Sequence, residues 1–275
     1  MNIEYAPLII FFDICEQMNK IKFLGTGGGR FVVSKQLRKS GGIWISLDNT
    51  NILIDPGPGS LINSLSSKPK LNPRELDGVI LSHRHIDHSN DVNIIIEAMT
   101  NGGWDKKGIL LAPKDCLDDD PVVLRYIRKY LEKIEIIKEK GQYKIKNIRI
   151  ETPIKHIHHG VEGYGFNIKG KNLSISIITD TVYFKGLETY YKGEILICNV
   201  VFYQNKRGFE HFDISDVEKI IATNKPKISI LTHFGMTMIK EKPWEIAEKL
   251  TKKLGVKVIA ARDGMEIDID NILNY

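Results

Sequence analysis

The sequence predicts one domain of the α/β or α+β class. Short apolar runs alternate with helix-length amphipathic segments from Ile21 to the end of the chain. No internal repeat or low-complexity linker divides its 275 residues. Hydrophobic residues make up 42% and charged residues 27%, an ordinary globular composition at a length that easily buries a core. Residues 20–275 read as that domain, with residues 1–19 as an N-terminal extension. Met18-Asn19-Lys20-Ile21 has the form of a protein start, so residues 1–17 also read as a mis-assigned beginning. The apolar patch Leu8–Phe12 follows Glu4 rather than a basic stretch, and Asp13 interrupts it. A signal peptide is not expected, and no apolar run reaches transmembrane length.

Residues 21–24 read as a strand, and the glycines of 25–29 form a loop whose N–H groups are free to face an anion. No Gly-Lys-Ser/Thr follows, so the loop is not a P-loop, and no helix start is evident. Residues 43–47 and 51–54 read as a hairpin about Asp48-Asn49-Thr50. Asp55-Pro56-Gly57-Pro58-Gly59 forces a turn before a helix near Ser60. A strand at 78–81 leads into a histidine loop, and residues 91–100 read as a helix stopped by Asn101-Gly102-Gly103. A strand covers 108–112. Asp118-Asp119-Asp120-Pro121 reads as a helix start running to about Leu131, with the acids at the positive dipole end rather than forming a cation site. Strands follow at 134–138, 143–151, 164–169 and 173–178, then a helix at 183–191 and a buried strand at 195–201. A helix at 213–223, a strand at 228–231, a helix at 243–254 and strands at 256–260 and 265–269 complete the chain.

The formal net charge is +5, spread along the chain without a Lys/Arg block. That suits an anionic substrate and does not establish nucleic-acid binding. Cys15, Cys116 and Cys198 are odd in number and widely spaced, which indicates neither a disulfide framework nor a cysteine zinc site and fits a cytoplasmic protein. Trp104 and Tyr203 read as packing aromatics. Gln36, Arg38 and Lys39 read as a solvated face.

Ser82-His83-Arg84-His85-Ile86-Asp87-His88 carries three of the eight histidines and an aspartate within six positions. Imidazole nitrogen and carboxylate oxygen are ligands for zinc and similar ions. Four apolar runs end in a residue of this kind: Asp55, His83, Asp180 and His233. Strand ends on one sheet edge collect side chains from distant segments into one place. His156, His158 and His159 share one loop, and the sequence pattern does not separate them.

His83-Arg84-His85-Ile86-Asp87-His88 resembles the HxHxDH motif of the metallo-β-lactamase superfamily. Asp180 in Ile-Ile-Thr-Asp-Thr resembles its bridging aspartate, and His233 in Leu-Thr-His-Phe-Gly its last histidine. The Gly25–Arg30 loop and His159-Gly-Val-Glu-Gly-Tyr-Gly-Phe are most similar to the ribonuclease Z and phosphodiesterase branch. The resemblance implies a four-layer αββα sandwich with two divalent metal ions, zinc first, manganese or iron next. It implies that His83, His85 and His159 hold one ion, that Asp87, His88 and His233 hold the other, and that Asp180 bridges. His156 and His158 then line the surroundings. Asp55 would orient a ligand. Asp87 and His211 would be catalytic, His211 contacting the scissile phosphate or protonating the leaving group.

The implied activity is a phosphodiesterase acting on nucleotides, RNA ends or another phosphodiester through a metal-bridging hydroxide. A thioester or lactone hydrolase and a non-enzymatic metal-binding protein are the alternatives. The expected partner is an anionic small molecule or a nucleic-acid end, with no membrane, and a homodimer is allowed. Two departures narrow the substrate. Where ribonuclease Z carries His-Glu-Ala-Thr, this chain reads Ile197-Cys198-Asn199-Val200-Val201. Only about twenty residues separate His159 from Asp180, too few for a tRNA-gripping insertion. The expectation is metal chemistry retained on a substrate other than tRNA.

Overall fold

The structure, a computed structural model, describes residues 18–273. The readings of residues 1–17 and of Cys15 lie outside them. In chain order the strands are β1 (Lys20–Phe23), β2 (Ile43–Leu47), β3 (Thr50–Ile54), β4 (Gly78–Ile80), β5 (Ile109–Ala112), β6 (Lys133–Ile136) and β7 (Gly141–Ile145). Then come β8 (Ile148–Thr152), β9 (Phe166–Lys169), β10 (Ser174–Ile178), β11 (Ile195–Asn199), β12 (Ile228–Thr232), β13 (Lys257–Ala260) and β14 (Glu266–Asp268). They form two seven-stranded sheets, ordered β14-β1-β2-β3-β4-β5-β6 and β13-β12-β11-β10-β9-β8-β7.

Alternation builds the sandwich. In β7 and β8 every second residue is buried, so one face of each strand meets the other sheet while its opposite face meets water. Isoleucines dominate the inter-sheet core, among them Ile21, Ile45, Ile150, Ile177, Ile197 and Ile230, all at most 1% exposed. Each is worth about 1.5–3 kcal/mol of burial. The outer face of the first sheet packs Leu53, Val79 and Leu110 against Val92, Ile95, Ile96 and Met99 of α4 (Val92–Met99). The outer face of the second packs Leu196, Cys198 and Leu231 against α5 (Ile214–Asn224) and α7 (Pro243–Leu254). Helix, sheet, sheet and helix layers give the αββα architecture.

Parallel pairing fixes where the site forms. β3, β4 and β5 run parallel in one sheet, and β10, β11, β12 and β13 in the other. The carboxyl ends of β3, β4, β10 and β12 deliver Asp55, His83, Asp180 and His233. The β2–β3 turn uses Asp48 and Asn49 at φ 48° and 57°, the paired left-handed conformation of a tight hairpin.

Several expectations are corrected. Residues 118–131 do not form an α-helix; only Arg128–Tyr130 makes a 3₁₀ turn. Val123, Ile127 and Leu131 are buried at helical spacing, but side chains occupy the backbone groups a helix needs. Asn93 donates to the Val122 carbonyl and accepts from the Leu124 N–H, and the Arg128 guanidinium takes the Val123 and Leu117 carbonyls. Asp120 caps nothing; its carbonyl and carboxylate accept from Arg84 of the histidine loop. The predicted strand 143–151 is a hairpin, with Lys146 at φ 47° turning β7 into β8. The helix expected at 183–191 shrinks to a 3₁₀ turn at Leu187–Tyr190, and a short α1 (Arg30–Ser34) does follow the glycine loop.

Candidate metal centre

The histidine loop leaves β4 in extended form and then winds into α3 (Ile86–Ser89). That one turn separates the side chains into two groups. His83, His85 and His158 place ligand atoms within 4.8 Å of one another, as do Asp87, His88 and His233. Asp180 joins them. Its Oδ2 lies 3.3 Å from Nε2 of both His88 and His233, 3.7 Å from Nε2 of His158 and 3.6 Å from Nδ1 of His211. These clustered histidines and aspartates form a candidate dinuclear metal site.

Three of the imidazoles are oriented by a bond on their far side. Asp55 accepts from the Ser82 N–H and Oγ–H, both at 2.6 Å, and from His88 Nδ1 at 2.9 Å. The Ser82 hydroxyl, its proton committed to Asp55, accepts from His83 Nδ1 at 2.9 Å. His158 Nδ1 donates to the Glu210 carbonyl at 2.8 Å. In all three rings Nδ1 carries a proton and Nε2 faces inward. Asn199 Nδ2 donates to Asp180 Oδ1 at 2.8 Å, leaving Oδ2 to the centre.

The inward atoms fit a cation. His83 Nε2, His88 Nε2, His211 Nδ1 and His233 Nε2 are buried without a hydrogen-bond partner. Unpaired buried polar atoms are costly, and a divalent ion would satisfy those of His83, His88 and His233, while His211 Nδ1 faces the Asp180 carboxylate. His85 Nδ1 faces His158 Nε2 at 3.0 Å.

His159 does not complete the first group, contrary to expectation. Its backbone turns left-handed at φ 46°, its N–H bonds to the Glu210 carboxylate, and its ring is 42% exposed. The ring stands at the mouth, grouped with His158 and His211. His158, side chain 1% exposed, stands with His83 and His85, where the resemblance had implied His159. His156 is farther in, with Nε2 on the Tyr191 hydroxyl at 2.7 Å, and among the described residues belongs to none of the metal-capable groups. Ser82 and Asn199 carried no sequence signal of their own.

Two glycines set the approach of backbone to the site. A Cβ on Gly28 would overlap the ring and carbonyl of His233, and one on Gly57 would overlap the Asp87 carbonyl. The glycine loop therefore packs on His233: Gly28 N–H bonds to the Phe234 carbonyl and Phe234 N–H to the Thr26 carbonyl. His233 itself sits at φ 61°.

Charge is divided unequally over the cluster. Burial opposes ionisation of Asp180, but His233, His88 and His211 outweigh it and hold the carboxyl well below its usual range. Burial, with repulsion from neighbouring imidazoles, pushes His85 and His158 down to about 4. His88 is the exception: burial disfavours its proton, yet Asp180, Asp87 and Asp55 together raise it well above the ordinary histidine value.

Residues 50–234 match a family described as the beta-lactamase superfamily domain. An uncharacterized protein of Methanocaldococcus jannaschii is 30% identical over 92% of this chain and 96% of its own length. Ribonuclease Z of Clostridium novyi is 22% identical over 83% of this chain and 92% of its own. The solved structure of the metallo-beta-lactamase fold protein YhfI from Bacillus subtilis matches with a TM-score of 0.75 at 18% identity, over 91% of this chain and 99% of that one.

Proposed function

The chain belongs to the metallo-β-lactamase superfamily, and from that premise we propose that it is a dinuclear metal-dependent phosphodiesterase. The observation that carries the reading is Asp180 Oδ2, a single buried oxygen within 3.7 Å of four imidazole nitrogens on four segments. His83, His85 and His158 would hold one ion, Asp87, His88 and His233 the other, and Asp180 both. The donors are nitrogen and oxygen without thiolate, a set that suits zinc and also accepts manganese or iron. Bound there, two divalent ions acidify water and offset negative charge on a phosphoryl group.

The chain's own residues do the rest. Asp55, Ser82, Asn199 and the Glu210 carbonyl hold the ligand rings and the Asp180 carboxylate in one orientation. Asp87, kept ionised by His88 and His233 against the cost of burial, supplies charge and a proton acceptor beside Asp180. His211, largely buried at the mouth, is placed to hand a proton to the leaving oxygen.

The similarity to ribonuclease Z supports a phosphodiester over a thioester or lactone. The interval from His159 to Asp180 is filled by β9, β10 and their turn, which supports a substrate smaller than tRNA. Among the described residues Cys116 and Cys198 are free and buried, which supports a reducing, cytoplasmic setting. No described helix is long and apolar enough to cross a membrane.

The test is metal content together with rates on bis(p-nitrophenyl) phosphate, a thioester and a lactone. Phosphodiester turnover abolished in Asp87→Ala supports the reading. Activity on the carbon esters alone replaces it with the second hydrolase class, and bound metal without turnover replaces it with a metal-binding protein.

A further inference from the structure

The segment between β11 and α5 is knotted around one side chain. Asn205 Nδ2 donates to the Phe209 carbonyl at 2.6 Å and the His211 carbonyl at 3.0 Å, and its Oδ1 accepts from the Phe209 N–H at 3.0 Å. Its own N–H donates to Asp213 Oδ2 at 3.0 Å. These bonds fix the shape of a short loop beside the metal centre. The Phe209 ring lies over Phe202, centroids 5.7 Å apart and 16° from parallel, and Phe202 meets the His211 ring edge-on at 6.0 Å. Phe202 covers one face of Phe209, yet Phe209 remains 43% exposed, so its other face is open. At the loop tip Lys206 and Arg207 are exposed, and neither forms an ion pair among the described residues.

A single exposed aromatic is unremarkable on a protein surface. Here the ring is stacked on Phe202, which also meets His211, its loop is braced, and two exposed cations without an ion pair among the described residues lie in the same loop. Base–aromatic stacking contributes about 1–3 kcal/mol per base, and free lysine and arginine are the usual partners of phosphate. We infer that residues 202–209 form a nucleoside subsite: a base stacks on the open face of Phe209, and Lys206 and Arg207 take the next phosphate along the chain. The inference rests on the phosphodiesterase reading and names its substrate class, a nucleotide chain rather than a simple diester.

Two esters with the same leaving group test it on the zinc-loaded protein, thymidine 5′-(p-nitrophenyl phosphate) and ethyl p-nitrophenyl phosphate. Phe209→Leu lowers the ratio of their kcat/KM values about tenfold, equivalent to about 1.4 kcal/mol of stacking. A 3′-phosphate on the thymidine ester improves wild-type KM, and the Lys206→Ala/Arg207→Ala double variant loses that gain. An unchanged ratio in Phe209→Leu, or an unchanged gain in the double variant, overturns the subsite. Calorimetry with thymidine 5′-monophosphate separates this failure from failure of the parent reading. Weaker binding to Phe209→Leu keeps the subsite even where no ester is turned over. Equal binding to both proteins, or none, discards it.

Discussion

His158 and His159 are neighbours with opposite fates, and a single backbone angle separates them. The left-handed turn at His159 swings its ring to the mouth, while His158 keeps Nε2 on the cluster and Nδ1 on the Glu210 carbonyl. His158→Ala therefore loses tightly bound metal, read by elemental analysis after dialysis, whereas His159→Ala retains the wild-type content. The reverse outcome would return the ligand role to His159. Asn199 acts one step away. Asn199→Ala strips Asp180 Oδ1 of its donor, and metal affinity falls about 10–100-fold, the usual cost of losing a residue that orients a ligand. His156 supplies a pH signature distinct from the ligands. Burial pushes it down to about 3, so the folded chain refuses a proton that an unfolded histidine accepts near 6.5. Its contribution is complete above pH 6.5 and is lost as pH falls, at about 1.4 kcal/mol per unit. Urea melts of the metal-free protein at pH 7 and 5 test this: His156→Gln shows the shallower decline with acid, and identical slopes would refute it.

At the scale of elements, rigid strands made most of the site legible. Asp55, His83, Asp180 and His233 each end an apolar run, and a strand fixes where its next residue points. The loop carrying His156, His158 and His159 has no period to read, so its rings sort only once the chain has turned at His159. Residues 118–131 show the opposite failure. Their buried positions keep helical spacing, but Asn93 and Arg128 bind the backbone that a helix would have used. Arg128→Ala removes bonds to two carbonyls and destabilises the fold by about 1–3 kcal/mol in denaturant melts, with metal content unchanged. The glycine loop read as a possible anion cradle, but its contacts make it the bed of His233. Gly28→Ala forces the His233 ring aside and lowers metal retention, while secondary structure by circular dichroism stays wild-type.

The whole molecule brings two sheets together so that segments far apart in sequence share one buried carboxylate. The isoleucine core between the sheets stabilises that arrangement, and the centre itself concentrates charge that the core does not offset. In the metal-free state, Asp180, Asp87 and Asp55 favour a proton on His88. A divalent ion needs the Nε2 lone pair, so metal uptake near pH 7 releases at least one proton per chain, measurable with an indicator in weak buffer. Uptake without proton release would contradict that charge balance. On the proposed function, hydrolysis depends on two ions that share Asp180. Zinc titrated into the metal-free protein while bis(p-nitrophenyl) phosphate hydrolysis is followed tests it most directly. The rate should rise to a plateau at two equivalents per chain; turnover without metal, or none at two equivalents, would contradict it.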